Sequence, residues 1–128
     1  MPISYSVLRE GHFIHSIAED KVSFDEFLQF EINHTIDERV KTPVYELFEI
    51  KPGAFDEITK TDIKKILEER KRMEIHPKTH KCAVVVSPGD IKSWDVAKFY
   101  EDMSLLHHPE VVIVFGDINT AKIWLRIK

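Results

Sequence analysis

The residues that first suggest chemistry are the seven histidines and the single cysteine, Cys82. His12 and His15 are an odd number of positions apart, so on a strand they point to opposite faces. No histidine pair has a carboxylate at the spacing of a His-Glu-x-x-His motif, and a zinc site needs several converging ligands. Cys82 lies in a continuous apolar run, where a thiol is normally an inert core group. We therefore expect neither a metal ion nor another cofactor.

Motifs for nucleophilic or phosphoryl chemistry are not recognisable in the sequence. Ser87 follows an apolar run, but Ser87-Pro88-Gly89 is not a Gly-x-Ser-x-Gly elbow. Gly89 and Gly116 stand alone, unlike the glycines of a phosphate-binding loop. Glu46 lies within an apolar run, where burial would raise the pKa of its carboxyl group. A strand glutamate that faces water is the more common arrangement. We therefore expect a binding or regulatory domain and not an enzyme.

The composition is that of one globular domain. The chain has 128 residues, of which 43% are hydrophobic and 31% charged, and residues 1–128 are expected to form a single domain. The net charge of −4 offers no general attraction to phosphate, so no nucleic-acid partner is expected. The densest basic stretch, 60–72, is interspersed with acidic residues and predicts a solvated helix face. No apolar run approaches the ~18–20 residues that span a bilayer, and a lone cysteine permits no internal disulfide, so a cytoplasmic location is expected.

Hydrophobic periodicity predicts the elements that position these residues. Alternating or continuous apolar runs predict strands over 3–8, 12–17, 44–50, 82–86 and 111–115. A helix follows each strand from the second onward, and Ser23 with Glu26 has the spacing of a capping box at the start of the first helix. The order β-β-α-β-α-β-α-β-α implies an antiparallel hairpin followed by parallel strands with right-handed crossovers. The predicted fold is therefore α/β, with a mixed sheet of about five strands.

The apolar stripes of the last two helices predict which of their side chains enter the core. The stripe of the third helix ends on Leu106, and that of the last helix includes Trp124. The second helix is predicted to end at 75–78 and the third at 107–109, because each stretch contains a proline. Leu106 and Trp124 are therefore predicted core residues.

Several stretches of the chain resemble the SpoIIAA-like family, which is related to STAS domains and to Sec14-type lipid carriers. They are Tyr5-Ser6-Val7, the strands 44–49 and 83–86, and the ending Ala-Lys-Ile-Trp-Leu at 121–125. The resemblance extends over nearly the whole chain and implies a sheet that begins with a hairpin and continues as a β/α superhelix. Each stretch is mostly core, so the resemblance bears on fold far more than on function.

The start of the second predicted helix departs from that family. Members that antagonise anti-sigma factors carry Asp-Ser-Ser-Gly at this turn, with a phosphorylated serine. Here the stretch is Ile58-Thr59-Lys60-Thr61-Asp62, so a classical antagonist is not expected. Thr59 and Thr61 are candidate phosphate acceptors at a helix start, where the helix dipole favours negative charge. The alternative role for a threonine at this position is a helix cap.

The candidate binding residues follow from the predicted topology. Ligands of open α/β sheets bind outside the carboxyl ends of the parallel strands. Three loops are predicted at that edge: 51–58, 87–93 and 116–118. Phe55 and Trp94 are large aromatics there that no core stripe includes. The predicted rim of the site consists of Phe55, Trp94, Pro88 and Glu49.

The predicted function is that of a non-catalytic binding or regulatory module. Aromatics exposed at such a rim suit a small apolar, lipid-like ligand, a membrane surface or a protein partner. The alternative is a phosphorylation-dependent signalling switch of the STAS type that uses Thr59 or Thr61. Either would act as a monomer or a homodimer.

Overall fold

The computed structural model describes residues 2–73, 79–107 and 111–127. The elements in chain order are β1 (Ile3–Leu8), β2 (Phe13–Ala18), α1 (Phe24–Ile36), β3 (Val44–Ile50), α2 (Lys60–Arg72), β4 (Thr79–Val86), α3 (Ile91–His107), β5 (Val111–Phe115) and α4 (Ile118–Leu125). The predicted order of strands and helices is confirmed. The stretch 75–78, where α2 was predicted to end, and residues 108–109 beyond α3 lie outside the described residues.

The sheet has five strands in the order β1-β2-β3-β4-β5. β1 and β2 are antiparallel, with Ile3 opposite Ala18 and Leu8 opposite Phe13. The remaining neighbours are all parallel, as expected for strands joined by helical crossovers. The predicted α/β fold with a mixed sheet is therefore confirmed, and β1 and β5 are its two edges.

Side chains near the helix starts supply the hydrogen bonds that the first turns lack. The Ser23 hydroxyl accepts a bond from the Glu26 N–H, and the Glu26 carboxylate accepts one from the Ser23 N–H. The predicted capping box of α1 is thus confirmed. Thr59 and Asp62 form the same reciprocal pair at α2. These caps fix where the crossover helices begin and hence how they lie on the sheet.

The helices cover the two faces of the sheet unequally. Side chains of α1, α2 and α3 pack on one face in the larger core, which includes Phe27, Ile66 and Val96. The opposite face carries α4, whose Ala121 and Leu125 are buried in a smaller cluster. Among the described residues, no helix is long and apolar enough to cross a membrane.

Two predicted core side chains differ from expectation. Leu106 is 75% exposed, because the buried face of α3 runs through Val96, Tyr100 and Ser104, and a residue two positions beyond Ser104 points away from it. Trp124 is half-buried, with its ring centroid 5.6 Å from that of Phe115. The prediction is wrong for Leu106 and is met only in part for Trp124.

Candidate functional site

The predicted loops do meet at the carboxyl ends of the parallel strands, where they are tied to one another. Asp90 Oδ2 accepts a hydrogen bond from the Gly53 N–H at 3.1 Å, and Asp90 Oδ1 accepts one from the Ser93 N–H at 3.3 Å. Partial burial works against ionisation of Asp90, but these hydrogen bonds outweigh it and lower its pKa. The Lys92 ammonium also contacts the Asp56 carbonyl. This edge is thus held closed by polar contacts between its loops.

The aromatic residues of the predicted rim are not both at the surface. Phe55 is only 2% exposed, and its ring lies 5.0 Å from Phe27 and 6.2 Å from Phe48, centroid to centroid. The prediction that Phe55 stays outside the core is therefore wrong. Its loop folds back over the sheet, since the Ala54 carbonyl accepts a hydrogen bond from the Val22 N–H. Trp94 is half-buried and packs against the same core.

Pro88 and Glu49 do not complete a rim with those aromatics. Pro88 is exposed and lies against Gly116, where an added Cβ would come 2.8 Å from Pro88 Cγ. Glu49 lies on the other face of the sheet, beside His15 and Lys51. Partial burial opposes its ionisation, but hydrogen bonds from these two side chains outweigh it and lower the pKa of Glu49. The four predicted residues therefore do not form one rim. Phe55 is in the core, Trp94 is half-buried, Pro88 is exposed and Glu49 lies on the opposite face of the sheet.

Thr59 and Thr61 are both exposed at the start of α2. The Thr59 hydroxyl accepts a hydrogen bond from the Asp62 N–H at 3.1 Å, so Thr59 has the capping role that was the alternative to phosphorylation. No described side-chain hydrogen bond involves Thr61. A phosphate on Thr59 would disrupt this cap and lie beside the Asp62 carboxylate.

A buried polar cluster, which the sequence did not predict as a site, joins α1, α2 and α3. Arg70 Nη1 lies 3.4 Å from Glu31 Oε2 and 3.5 Å from the Tyr100 hydroxyl. Glu31 Oε2 is also 3.2 Å from His34 Nε2. Each of these four residues is at most 8% exposed. One carboxylate therefore connects three helices above the sheet.

Glu46 of β3 belongs to the same buried region. It is 3% exposed, and its Oε2 accepts a hydrogen bond from the Ser16 hydroxyl at 2.8 Å. Burial raises the pKa of Glu46, against the opposing charge of His34 and with the added repulsion of Glu31. An acid beside a histidine is a combination used in proton transfer, but enclosure by the core leaves no described opening to a substrate. We interpret the cluster as structural.

The sequence contains two polar residues on a predicted buried helix face and a basic residue in a stretch predicted to be solvated, and neither feature was interpreted as part of this cluster. Glu31 and Thr35 fall on the apolar stripe of α1, where polar side chains must find buried partners. The Thr35 hydroxyl donates to the Glu31 carbonyl, and the Glu31 carboxylate contacts Arg70. Arg70 belongs to the basic stretch predicted to be solvated, and that prediction is wrong for this residue.

A groove of about 460 Å³ lies between β1 and α1. Its floor is mainly apolar and its wall along α1 is polar. The floor residues are Pro2, Ile3, Tyr5 and Phe30. The polar lining residues of α1 are Asp25, Glu26, Gln29 and Asn33; Ser4 of β1 and Arg39, which follows α1, complete the polar lining. The volume falls within the range of small-ligand and short-peptide sites.

Tyr5 anchors one part of this groove. Its ring packs edge-on against Phe30 at 6.0 Å between centroids, and its hydroxyl donates to Asp37 Oδ2 at 2.8 Å. Arg39 binds the same carboxylate, with Nη2 2.7 Å from Oδ2. Hydrogen bonds from Arg39 hold the pKa of Asp37 well below its usual range, so Tyr5 donates to a carboxylate that stays ionised. The Tyr5 ring is thereby fixed on the groove floor.

The outer backbone groups of β1 can be identified from its pairing. The Pro2 carbonyl accepts a hydrogen bond from the Glu19 N–H, which makes this a hydrogen-bonded pair of the antiparallel ladder. Hydrogen-bonded pairs alternate, so the N–H and carbonyl groups of Ile3, Tyr5 and Val7 point away from β2. Among the described residues, no hydrogen bond from elsewhere in the fold reaches these groups.

The other edge of the sheet is protected. The Val114 N–H of β5 donates to Glu101 Oε1 of α3 at 2.8 Å, and Glu101 is only 8% exposed. A helix side chain therefore occupies the position that an added strand would take, which is a common means of protecting an edge. The two edges of the sheet differ in this respect.

Comparison of the chain with protein-family models, curated proteins and solved structures gives no match. The SpoIIAA-like resemblance therefore stays a prediction. Within the described part of the chain, no group of three or more histidine, cysteine or acidic side chains is arranged to hold a metal ion. The groove beside β1 is the surface feature from which we infer a function.

Proposed function

We propose that this domain is a non-catalytic interaction module that binds an extended segment of a protein partner along β1. The observation that carries the proposal is an edge strand, beside a groove with an apolar floor, whose outward backbone groups bond to no other described residue. Binding of this kind adds one strand to the sheet, with main-chain hydrogen bonds giving affinity and side-chain pockets giving specificity.

The sequence of β1 supports this role. It reads Ile-Ser-Tyr-Ser-Val-Leu, with no charge and no proline. Natural edge strands usually carry lysine, proline or a bulge to prevent pairing with other chains. An added strand would find six backbone groups on Ile3, Tyr5 and Val7, and every second side chain would face the Ile3 and Tyr5 side of the sheet. A partner segment with apolar residues at alternate positions fits this arrangement.

The polar backbone edge favours a peptide over a lipid as the occupant. An acyl chain could cover the apolar floor formed by Ile3, Tyr5 and Phe30. It would, however, exclude water from the outward N–H and carbonyl groups of β1 without offering them hydrogen bonds, which is costly. A peptide backbone satisfies both the apolar floor and the strand edge.

The test uses a displayed library of random peptides of about ten residues, a length that matches one strand with its flanks. The decisive variant is Val7→Pro, which removes an outward N–H while leaving the bonds from β1 to β2 intact. Val7→Ala is the matched control, because it shortens the same side chain but keeps the N–H. We expect peptides selected on the wild type to bind Val7→Ala and to lose binding to Val7→Pro, with circular dichroism confirming that both variants fold.

Amide hydrogen exchange on the complex gives a second readout. A bound peptide should slow exchange at Ile3, Tyr5 and Val7. Equal binding to both Val7 variants, or protection that falls elsewhere, would refute strand addition. If oleate, added as an apolar probe, occupied the groove and no peptide were selected, the ligand would be lipid-like and the proposal would be wrong.

Phosphorylation of Thr59 or Thr61 is the second proposal. It is supported by the exposure of Thr59, the N-cap of the 13-residue helix α2, and of Thr61 in its first turn. The capping role of Thr59 makes Thr61 the better acceptor. Phosphosite mapping of the native protein from growing and starved cells tests it, and unmodified threonines in both conditions would rule it out.

A further inference from the structure

A second cleft lies at the opposite end of the parallel strands from the predicted rim. Its volume is about 490 Å³, and it is on the face of the sheet that carries α4. It is lined by the turn after β1, the starts of β2, β3 and β4, and the end of α4. The lining residues are Arg9, His12, Phe13, Tyr45, Lys81, Leu125, Arg126 and Ile127. None of them lines the groove beside β1.

The polar lining of this cleft is basic. Arg9, His12, Lys81 and Arg126 contribute to it, and none of its described lining residues is an aspartate or a glutamate, although the whole chain has a net charge of −4. Across the described residues, Arg9, Lys81 and Arg126 take part in no salt bridge. A group of cations without counter-ions in a concave surface attracts anions.

Both arginines of the cleft have unusual backbone conformations. Arg9 has φ 51° and Arg126 has φ 60°, in the left-handed region that favours glycine. Arg126 ends α4 at the position where glycine is the usual residue. Arg9 shares its positive φ with Glu10 (φ 57°) and Gly11 (φ 97°) in the turn between β1 and β2, so the two conformations follow from a tight turn and a helix end. They place both arginines on the lining of the cleft.

The floor of the cleft is aromatic. Phe13 and Tyr45 are register partners on adjacent parallel strands, so their side chains share a face. His12 Nδ1 is 3.0 Å from the carbonyl oxygens of both Lys41 and Pro43. Since both oxygens can only accept, Nδ1 carries the hydrogen and Nε2 is the ring atom available to a ligand.

We infer that this cleft binds a small aromatic anion, in which a phosphate or carboxylate group is joined to a planar ring system. The anionic group would bind among Arg9, Lys81 and Arg126. The ring would pack against Tyr45, because the Phe13 ring is only 7% exposed and already has the Arg9 guanidinium over it at 5.8 Å. Guanidinium groups suit the planar, paired oxygens of such anions, and aromatic side chains suit a flat ring. The volume is that of a site for a molecule of nucleotide size.

Trp124 provides an intrinsic probe for the test. The Lys81 ammonium lies 5.2 Å from the Trp124 ring, so an anion that binds Lys81 changes the surroundings of this indole. The chain has two tryptophans, and Trp94→Phe leaves Trp124 as the sole tryptophan. The probes are AMP, its two halves adenosine and inorganic phosphate, and benzoate as the carboxylate representative. Calorimetry on the unmodified protein repeats each titration without depending on the Trp94 variant.

We expect AMP or benzoate to shift Trp124 emission, and the intact aromatic anion to bind at least tenfold more tightly than inorganic phosphate or adenosine. Which of AMP and benzoate binds more tightly identifies the anionic group. Arg9→Gln and Arg126→Asn should each weaken binding roughly ten- to hundredfold, the usual effect of losing a hydrogen bond between charged groups. Asparagine is chosen at Arg126 because it accepts the left-handed conformation.

Arg72→Gln is the matched control, because Arg72 is an exposed arginine that pairs with Glu69 and lies outside the cleft. It should leave the affinity unchanged. The absence of any fluorescence or calorimetric response at millimolar probe would overturn the inference. So would binding that Arg9→Gln and Arg126→Asn leave intact, or phosphate binding as tight as that of AMP, since the aromatic floor would then contribute nothing.

Discussion

Arg70 is the side chain through which α2 contacts the buried polar cluster, and its removal tests how that helix is held. The residue is 1% exposed, and Nη1 lies 3.4 Å from Glu31 Oε2 and 3.5 Å from the Tyr100 hydroxyl. Arg70→Met keeps a long unbranched side chain but removes the cation. Glu31 then loses this counter-charge while Glu46, a second buried carboxyl group, stays close enough to interact with it.

The expected loss of stability is large. Removing one partner of a buried ion pair typically costs about 3–5 kcal/mol, because the remaining charge stays in a medium of low polarity. Single domains are stable by only about 5–15 kcal/mol in total, so Arg70→Met should shift the unfolding midpoint far toward lower denaturant. Glu31→Gln in the same background removes the carboxylate charge that Arg70 no longer balances, while the contact of residue 31 with His34 remains possible. We expect the double variant to recover between about 0.5 and 3 kcal/mol of the loss.

Urea unfolding at pH 7, followed by circular dichroism and tryptophan fluorescence, measures these free energies. Arg72→Met is the matched control, because it makes the same substitution on α2 at an exposed arginine. It should change the midpoint little, as is usual for surface ion pairs. Similar midpoints for the Arg70 and Arg72 variants would show that Arg70 is not a buried partner of Glu31. Additivity of Arg70→Met and Glu31→Gln would show that the two side chains do not stabilise each other.

Two further predictions concern the core. Phe55→Ala should lower the free energy of unfolding by about 3–5 kcal/mol. Trp124→Ala should lower it by less, because Trp124 is half-buried whereas Phe55 is buried. Urea unfolding measures both, and the reverse order would contradict the structure. Because burial raises the pKa of Glu46, the folded state holds this proton more tightly than the unfolded chain does, so the contribution of Glu46 to stability falls as pH rises above about 4.3. Glu46→Gln should therefore gain stability relative to the wild type between pH 4 and pH 8, and a difference that does not change with pH would refute this.

The fold could be predicted because its signals are local. β1 and β5 were predicted at their observed bounds, since an alternating or a continuous apolar run between turn residues is specific enough to mark a strand. The cap formed by Ser23 and Glu26 fixed the start of α1 for the same reason. The stripe of α3 was misassigned because its buried face includes small and polar residues, Ser93, Ser104 and Glu101, that a search for apolar side chains omits.

The sites could not be predicted, because each depends on contacts between distant parts of the chain. Phe55 follows a proline and a glycine in a loop, which predicts exposure, but the loop folds over the sheet and its ring packs on α1. Glu31 and Tyr100 are 69 positions apart and Glu31 and Arg70 are 39 apart, so no spacing rule could have joined them. Burial of a charged side chain is decided by where its partner lies, which only the tertiary structure shows.

The two proposed surfaces show how topology gives meaning to residues that are unremarkable in the sequence. Six uncharged residues at 3–8 predict only a strand. We propose them as a docking edge because β1 is an edge strand of the sheet, while the Val114 N–H of β5, the other edge, is bonded to Glu101. Arg9 and Arg126 lie near opposite ends of the chain, and they meet because α4 returns to the face of the sheet where β2 and β3 begin. The net charge of −4 predicted no attraction to anions. An anion in the cleft, however, interacts mainly with the charges that line the cleft and much less with the net charge of the whole molecule. Neutralising distant acidic residues should therefore affect its binding far less than removing either arginine.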